Sequence, residues 1–211
     1  MRLIVHMFFI ILFGLCGTSL SGCNNPNTNT NNDIPAKAAK IWALQPSQSY
    51  LNFTSVKKNS TVEIHSFSGL QGSITPAGQA AITIDLNTVQ THIDIRNERM
   101  KQFLFETSTM PEATVSTHID MALFAGLAIG EPMDYTLDLQ LDLHGVVKSL
   151  EANVIITRLK TNKVSVSSRE AILIDVADYD LDSGLTKLAT LAKLPPITPV
   201  VPVNFSLTFA R

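Results

Sequence analysis

The chain has 211 residues, a formal net charge of −2 and 45% hydrophobic residues. That is enough for one domain with an ordinary core, and a near-neutral chain without a basic run offers nothing to a nucleic-acid backbone. The two cysteines, Cys16 and Cys23, both lie near the N-terminus, so the body of the chain has neither a disulfide nor a thiolate metal site.

Arg2 is followed by an almost wholly apolar stretch, Leu3 to Leu15, broken by His6 and Gly14 and then by small residues. A positive start, a short hydrophobic centre and a small-residue end predict a secretory signal peptide over 1–22. The run is too short and too poorly flanked for a bilayer-spanning helix. The residues that close it, Leu20-Ser21-Gly22-Cys23, resemble a bacterial lipobox. That resemblance implies cleavage before Cys23, a diacylglyceryl group on its sulfur and acylation of its new amine. Two or three acyl chains, at about 0.8 kcal/mol per buried methylene, hold a protein on a membrane nearly permanently. Asn24 is not the Asp that commonly retains such proteins at the inner membrane, so the resemblance favours the outer membrane, with the domain facing the periplasm. Residues 24–40 read NNPNTNTNNDIPAKAAK. Such a segment buries too little apolar surface to offset its ordering entropy, and with the lipidated cysteine it predicts a flexible tether over 23–40.

From Trp42 onward the apolar residues recur with period two. Strands are predicted over Tyr50 to Val56, Thr61 to Phe67 and Ala80 to Asn87, where Ala80, Ile82, Ile84 and Leu86 share one face. Ile93 to Phe105 breaks the rule with near-helical spacing. A weaker strand stripe follows at Val115, Ile119, Met121 and Leu123. The clearest run is Tyr135 to His144, in which Tyr135, Leu137, Leu139, Leu141 and Leu143 alternate with polar residues and His144 falls on the wet face. Leu150 to Leu159, Val164 to Ser168, Ala171 to Val176 and Val203 to Ala210 complete about eight strands. Ser183 to Leu194 reads as a short amphipathic helix packed over a barrel end, capped by Asp182 or Ser183 and stopped by Pro195-Pro196. One-sided strands belong to antiparallel sheets, and many in one chain give an all-β sandwich or closed barrel.

Three segments of 41–211 resemble the YceI-like lipid-binding family. They are Tyr50-Leu51-Asn52-Phe53 with His65-Ser66-Phe67-Ser68-Gly69 and Gly72-Ser73-Ile74, then Thr91 to Thr114, then Leu139 to Lys148. The second carries Ile95-Arg96-Asn97-Glu98-Arg99-Met100 ahead of Met110-Pro111-Glu112-Ala113, and the third Leu143-His144-Gly145-Val146-Val147-Lys148. The family usually has Arg-Asp and then His-Leu in the second segment and Thr-Lys-Pro late in the third. Here only Arg96 matches residue for residue, so no role passes to the missing histidine. Arg96 itself reads as an ion-pair partner that fixes a helix over the barrel. The resemblance implies a lipocalin-like antiparallel β-barrel with one or two short helices. It also implies a long apolar ligand such as a polyisoprenoid, an isoprenoid quinone or a fatty-acid derivative.

An eight-stranded barrel either fills with side chains or holds one small ligand. The expected inner wall is Phe53, Phe67, Ile82, Ile84, Leu86, Leu137, Leu139, Leu141, Phe205 and Leu207. No cofactor, metal site or catalytic motif is read: Gly-x-Ser-x-Gly, His-Glu-x-x-His and Gly-rich phosphate loops are all missing. His65, His92, His118 and His144 are scattered singly. The run Asp175, Asp178, Asp180 and Asp182 reads as a solvated loop rather than a calcium site. The leading expectation is a membrane-anchored binding protein for an apolar, isoprenoid-type lipid, with no protein partner specified. Two alternatives stand beside it: an interaction module with a filled barrel, and a lipid-acting enzyme using Arg96, Glu98 and Arg99 at the barrel mouth.

Overall fold

The structure, a computed structural model, describes residues 40–58 and 60–211. The signal peptide, the lipobox residues Leu20, Ser21 and Gly22, the lipidation site Cys23 and all of the tether but Lys40 lie outside the described residues.

Ten strand segments form one antiparallel sheet: β1 (Trp42–Leu44), β2 (Tyr50–Lys57), β3 (Thr61–Ile74), β4 (Gln79–Gln90), β5 (Glu112–His118), β6 (Pro132–Leu143), β7 (Val146–Lys160), β8 (Lys163–Ser168), β9 (Ile172–Asp175) and β10 (Val200–Ala210). Neighbours in sequence are neighbours in the sheet, and β10 closes back on the first strands, so the segments make a ring of eight staves. Two staves are broken. β1 and β2 lie end to end along one edge of β10, with Leu44 opposite Phe209 and Tyr50 opposite Ser206. β8 and β9 do the same along its other edge, with Ser167 opposite Ser206 and Ile172 opposite Val203. A serine hydroxyl bridges each gap. Ser49 Oγ accepts the Thr208 N–H at 2.9 Å, and Ser168 Oγ accepts the Phe205 N–H at 3.1 Å. These bonds satisfy backbone donors that the missing ladder would leave orphaned.

Alternation decides which side chains face inward. On β6, Leu137, Leu139 and Leu141 are buried while Thr136, Asp138 and Gln140 are exposed. On β3 the phase changes, from His65 and Phe67 inward to Leu70 and Ile74 inward. The cause is a bulge in which β4 inserts extra residues between the Phe67–Val89 and Gly69–Asp85 pairs. The Thr88 hydroxyl accepts the Gly69 N–H at 2.8 Å. A Cβ on Gly69 would sit 2.8 Å from both Asp85 Cβ and Thr88 Cγ2, so only glycine fits. The strand expected to end at Phe67 therefore runs on to Ile74.

Three helices accompany the barrel: α1 (Asp94–Phe103), α2 (Met121–Ala125) and α3 (Asp182–Leu191). α1 and α3 pack on each other, and the residues flanking them, Leu104, Phe105 and Leu181, reach the barrel interior. α2 follows β5 at the opposite end. Four local expectations change. Met121 and Leu123 belong to α2 rather than to a strand, because Asp120 caps that helix through the Ala122 N–H at 2.9 Å. Asp182 and Ser183 do not cap α3: its N-cap is Leu181, with no side-chain cap bond. α3 ends at Leu191, ahead of Lys193 in the left-handed region, and not at the prolines. His144 is not on a wet strand face; with Gly145 it makes the two-residue β6–β7 turn, both at positive φ. Among the described residues no helix is long and apolar enough to cross a membrane.

Candidate functional site

The barrel is hollow. Its interior holds a cavity of about 220 Å³ whose lining is aliphatic and aromatic apart from Thr117. The Thr117 hydroxyl donates to the Asp138 carbonyl at 2.7 Å, so it has no proton left for a guest. All ten residues of the expected inner wall line this cavity. On one side Phe53, Phe67 and Phe105 form an aromatic strip, with ring centroids 5.3 Å apart for Phe53–Phe67 and 5.8 Å for Phe67–Phe105. Elsewhere the wall is mostly branched aliphatic, with Ile82, Ile84 and Leu86 from β4 and Leu137, Leu139 and Leu141 from β6, and β10 adds Phe205 and Phe209.

Several lining residues escape the sequence pattern. Leu104 and Phe105 come from the segment after α1, Val176 opens the short 3-10 turn Val176–Tyr179 and Leu181 follows it. None lies on a strand, so alternation carries no signal for them. Ile174 and Val166 sit on β9 and β8, which are too short for a long stripe.

Beyond the aromatic strip the inward face of β2 and β3 becomes polar in steps. Ser55 and His65 come first, with Oγ 2.9 Å from Nε2. Glu63 follows, 2.7 Å from both Lys57 Nζ and Arg96 Nη1. Arg96 Nη2 also donates to the Thr91 carbonyl at 2.6 Å, which ties α1 to the barrel wall as the sequence suggested. Asn97, where the family usually has Asp, is buried and its Oδ1 accepts from the Thr91 N–H at 2.9 Å and hydroxyl at 2.6 Å. Burial pushes the Glu63 carboxyl up, but hydrogen bonds and charge from Lys57 and Arg96 outweigh it and hold the group below its usual range. Burial, then the Arg96 charge, pulls the His65 imidazole down to about 4.

Ser55 and His65 have the spacing of a nucleophile and its base. Neither lines the cavity, and a base of pKa about 4 is a poor proton acceptor near neutrality. Of the residues considered for lipid chemistry, Arg96 is bound to Glu63, Glu98 to Lys101 at 2.6 Å, and Arg99 to the Leu191 carbonyl at 3.3 Å. The aspartate run is dispersed as well. Asp175 accepts from the Ala177 N–H, and Asp178 pairs with Lys148 at 3.3 Å. Among the described residues no three His, Cys, Asp or Glu side chains gather as a metal site.

Residues 42–209 match the family model of the YceI-like domain. The chain belongs to that family. Its fold is similar to a solved polyisoprenoid binding domain from Saccharophagus degradans implicated in plant cell wall breakdown. The two are 43% identical over 80% of this chain and 97% of that one, with a TM-score of 0.79. It is also similar to Burkholderia cenocepacia BcnA, at 16% identity, 78% and 98% coverage and a TM-score of 0.60, a likeness of fold alone. A comparison with curated protein sequences gave no match. The family membership and the closed ring together answer the choice between sandwich and barrel that the strand pattern leaves open.

Proposed function

We propose that this YceI-like barrel is a non-catalytic binding protein for an apolar, isoprenoid-type lipid, exported and anchored through Cys23 to the periplasmic side of a bacterial membrane, the outer one by the Asn24 rule. The observation that carries the binding reading is the hollow interior: about 220 Å³ with no free polar group on its wall. An apolar void of about 150 Å³ stays dry and takes up a benzene-sized guest, and each buried methylene contributes about 0.8 kcal/mol. A saturated or isoprenoid chain needs nothing else from its host. The 43%-identical polyisoprenoid binding domain supports the same ligand class. The anchor rests on the lipobox residues Leu20, Ser21, Gly22 and Cys23. A carrier tethered beside a bilayer has its cargo within reach.

Organic extraction of the purified protein, followed by mass spectrometry, tests the reading. A polyprenol, isoprenoid quinone or fatty-acid derivative is expected at near-stoichiometric amount, and stripped protein should take up a quinone or polyprenol probe. Protein that is reproducibly empty and takes up neither probe would overturn it. Metabolic labelling with a fatty acid tests the anchor separately: label should be lost in Cys23→Ser.

A further inference from the structure

A second cavity, also about 220 Å³, lies at the end of the barrel covered by α2. Ile74, Ile119 and Val166 line both cavities, so those three side chains are the partition between them. Its floor is apolar but its rim is cationic. Lys40, Arg158 and Arg211 line it, and no Asp or Glu does. Lys40 and Arg211 are exposed and Arg158 is half-buried, which places the charges where the pocket meets solvent.

Among the described residues no side-chain carboxylate compensates these charges. Arg158 Nη1 donates to the Leu127 carbonyl at 3.1 Å, with longer contacts to Ala125 and Thr161 carbonyls at 3.4 and 3.5 Å. All three acceptors are neutral. The Arg211 guanidinium lies 4.4 Å from the centroid of the Trp42 ring, an attraction that orients the cation without neutralising it. Among the described residues none of the three cations is in an ion pair. At the opposite end Lys57 and Arg96 already share Glu63. Among the described residues Arg99 and Lys187 at that end are also without a carboxylate, but neither lines the hydrocarbon cavity or the pocket that adjoins it. Two guanidinium forks and an ammonium facing one partly enclosed space suit an oxyanion, to which they give short, charge-assisted hydrogen bonds.

We propose that this pocket seats the anionic head of the bound amphiphile, a phosphate or carboxylate, while its chain passes Ile74, Ile119 and Val166 into the barrel. The inference rests on the lipid-binding reading above and narrows its ligand class to anionic-headed lipids. Trp42 is the only tryptophan in the chain, and it sits under Arg211, so its fluorescence reports occupancy of the pocket directly.

The full-length protein is stripped of lipid and titrated with geranylgeranyl phosphate, geranylgeraniol and geranylgeranoic acid. Trp42 emission and equilibrium dialysis are read in parallel. The phosphate is expected to bind at least about tenfold more tightly than the alcohol at low salt, the worth of one charge-assisted contact, with the advantage shrinking as salt rises. Arg158→Gln with Arg211→Gln should lose that advantage and still bind the alcohol as before, whereas Arg158→Lys with Arg211→Lys should keep most of it. Geranylgeranoic acid, which carries the same chain, distinguishes the heads: binding equal to the phosphate assigns any anionic oxygen group, and weaker binding assigns phosphate. Equal affinity of the unaltered protein for alcohol and phosphate would overturn this inference and leave the carrier reading intact. Binding of none of the three probes would overturn both.

Discussion

The two ends of the barrel are built from the same alternating strands and finish in opposite ways. At the α1–α3 end the inward positions past the aromatic strip hold polar groups that bond mostly to one another, although His65 Nδ1 and Arg96 Nε are buried with no partner among the described residues. Ser55 meets His65, Glu63 takes both Lys57 and Arg96, and the buried Asn97 amide accepts two hydrogen bonds from Thr91. At the α2 end a five-residue helix covers the opening, and the cations around it have only carbonyls and an indole face for company. The first end is closed by polar groups bonded mostly to one another, whereas the cations that line the pocket at the second meet, among the described residues, only neutral groups.

If the α1–α3 end is a fitted seal, its tightest contact should be its most sensitive. Gly184 on α3 meets α1 so closely that a Cβ would stand 2.4 Å from the Phe103 carbonyl oxygen and 2.9 Å from Leu104 Cα. Helix propensity alone favours alanine over glycine by about 1 kcal/mol. The contact predicts the reverse sign: Gly184→Ala should cost about 2–3 kcal/mol, as overpacking does. Urea unfolding checks it, and a variant as stable as the parent would show that α3 rests loosely.

The second effect is a pH dependence confined to the same end. His65 is 4% exposed, and its imidazole is pulled from 6.5 to about 4, chiefly by burial. Its unfolded form binds the proton more readily, so its share of stability is complete above about pH 6.5 and falls as pH drops toward about 4. Between pH 7 and pH 5 the loss should be about 2 kcal/mol. His65→Leu should flatten that part of the profile. Parallel profiles for parent and variant would mean that His65 titrates freely.

Alternation made the middle of the barrel readable and left its ends obscure. Leu137, Leu139 and Leu141 announce their face because nothing on β6 disturbs the period. Past Phe67 the period is broken by a bulge that depends on Gly69 and the Thr88 hydroxyl, a pairing of residues far apart in sequence. His65 looked like one of four isolated histidines because its partner, Ser55, is across a hairpin. The rim cations Lys40, Arg158 and Arg211 come from the start of the described chain, the end of β7 and the last position. Only closure of the ring brings them together. Arg96 was legible for the opposite reason: a guanidinium on a polar helix beside an apolar wall needs a carboxylate, and Glu63 supplies it.

The α2 end should be weaker and more local in its response. Phe124 is half-buried and meets Tyr135 edge-on at 5.8 Å and 71°. Phe124→Ala should cost about 1 kcal/mol or less of global stability, because the contact is single and part of its area is already wet. Hydrogen exchange should instead quicken over 121–127, where few other contacts hold the backbone. Exchange that quickens equally in α1 and α3 would mean the two ends open as one unit.

The smallest effect separates charge from cavity. In Glu63→Gln the cations Lys57 and Arg96 lose their shared partner, which adds unpaired charge to the α1–α3 end. The three side chains are 22–27% exposed, and such a pair is worth about 0.5–1 kcal/mol at low ionic strength and less in salt. The carboxyl is held below its usual range, so its contribution is present above the ordinary carboxylate pKa and disappears as pH falls through the lowered value. Glu63→Gln should therefore match the parent in acid and in high salt and trail it slightly at neutral pH and low salt, by urea unfolding. Neither Lys57 nor Arg96 lines either of the two cavities described above, so the variant should gain no preference for geranylgeranyl phosphate over geranylgeraniol. An anion needs a place beside the hydrocarbon as well as a positive charge, and only the α2 end offers both. A preference gained at Glu63→Gln would mean that loose charge anywhere on the rim is sufficient, and the distinction between the ends would collapse.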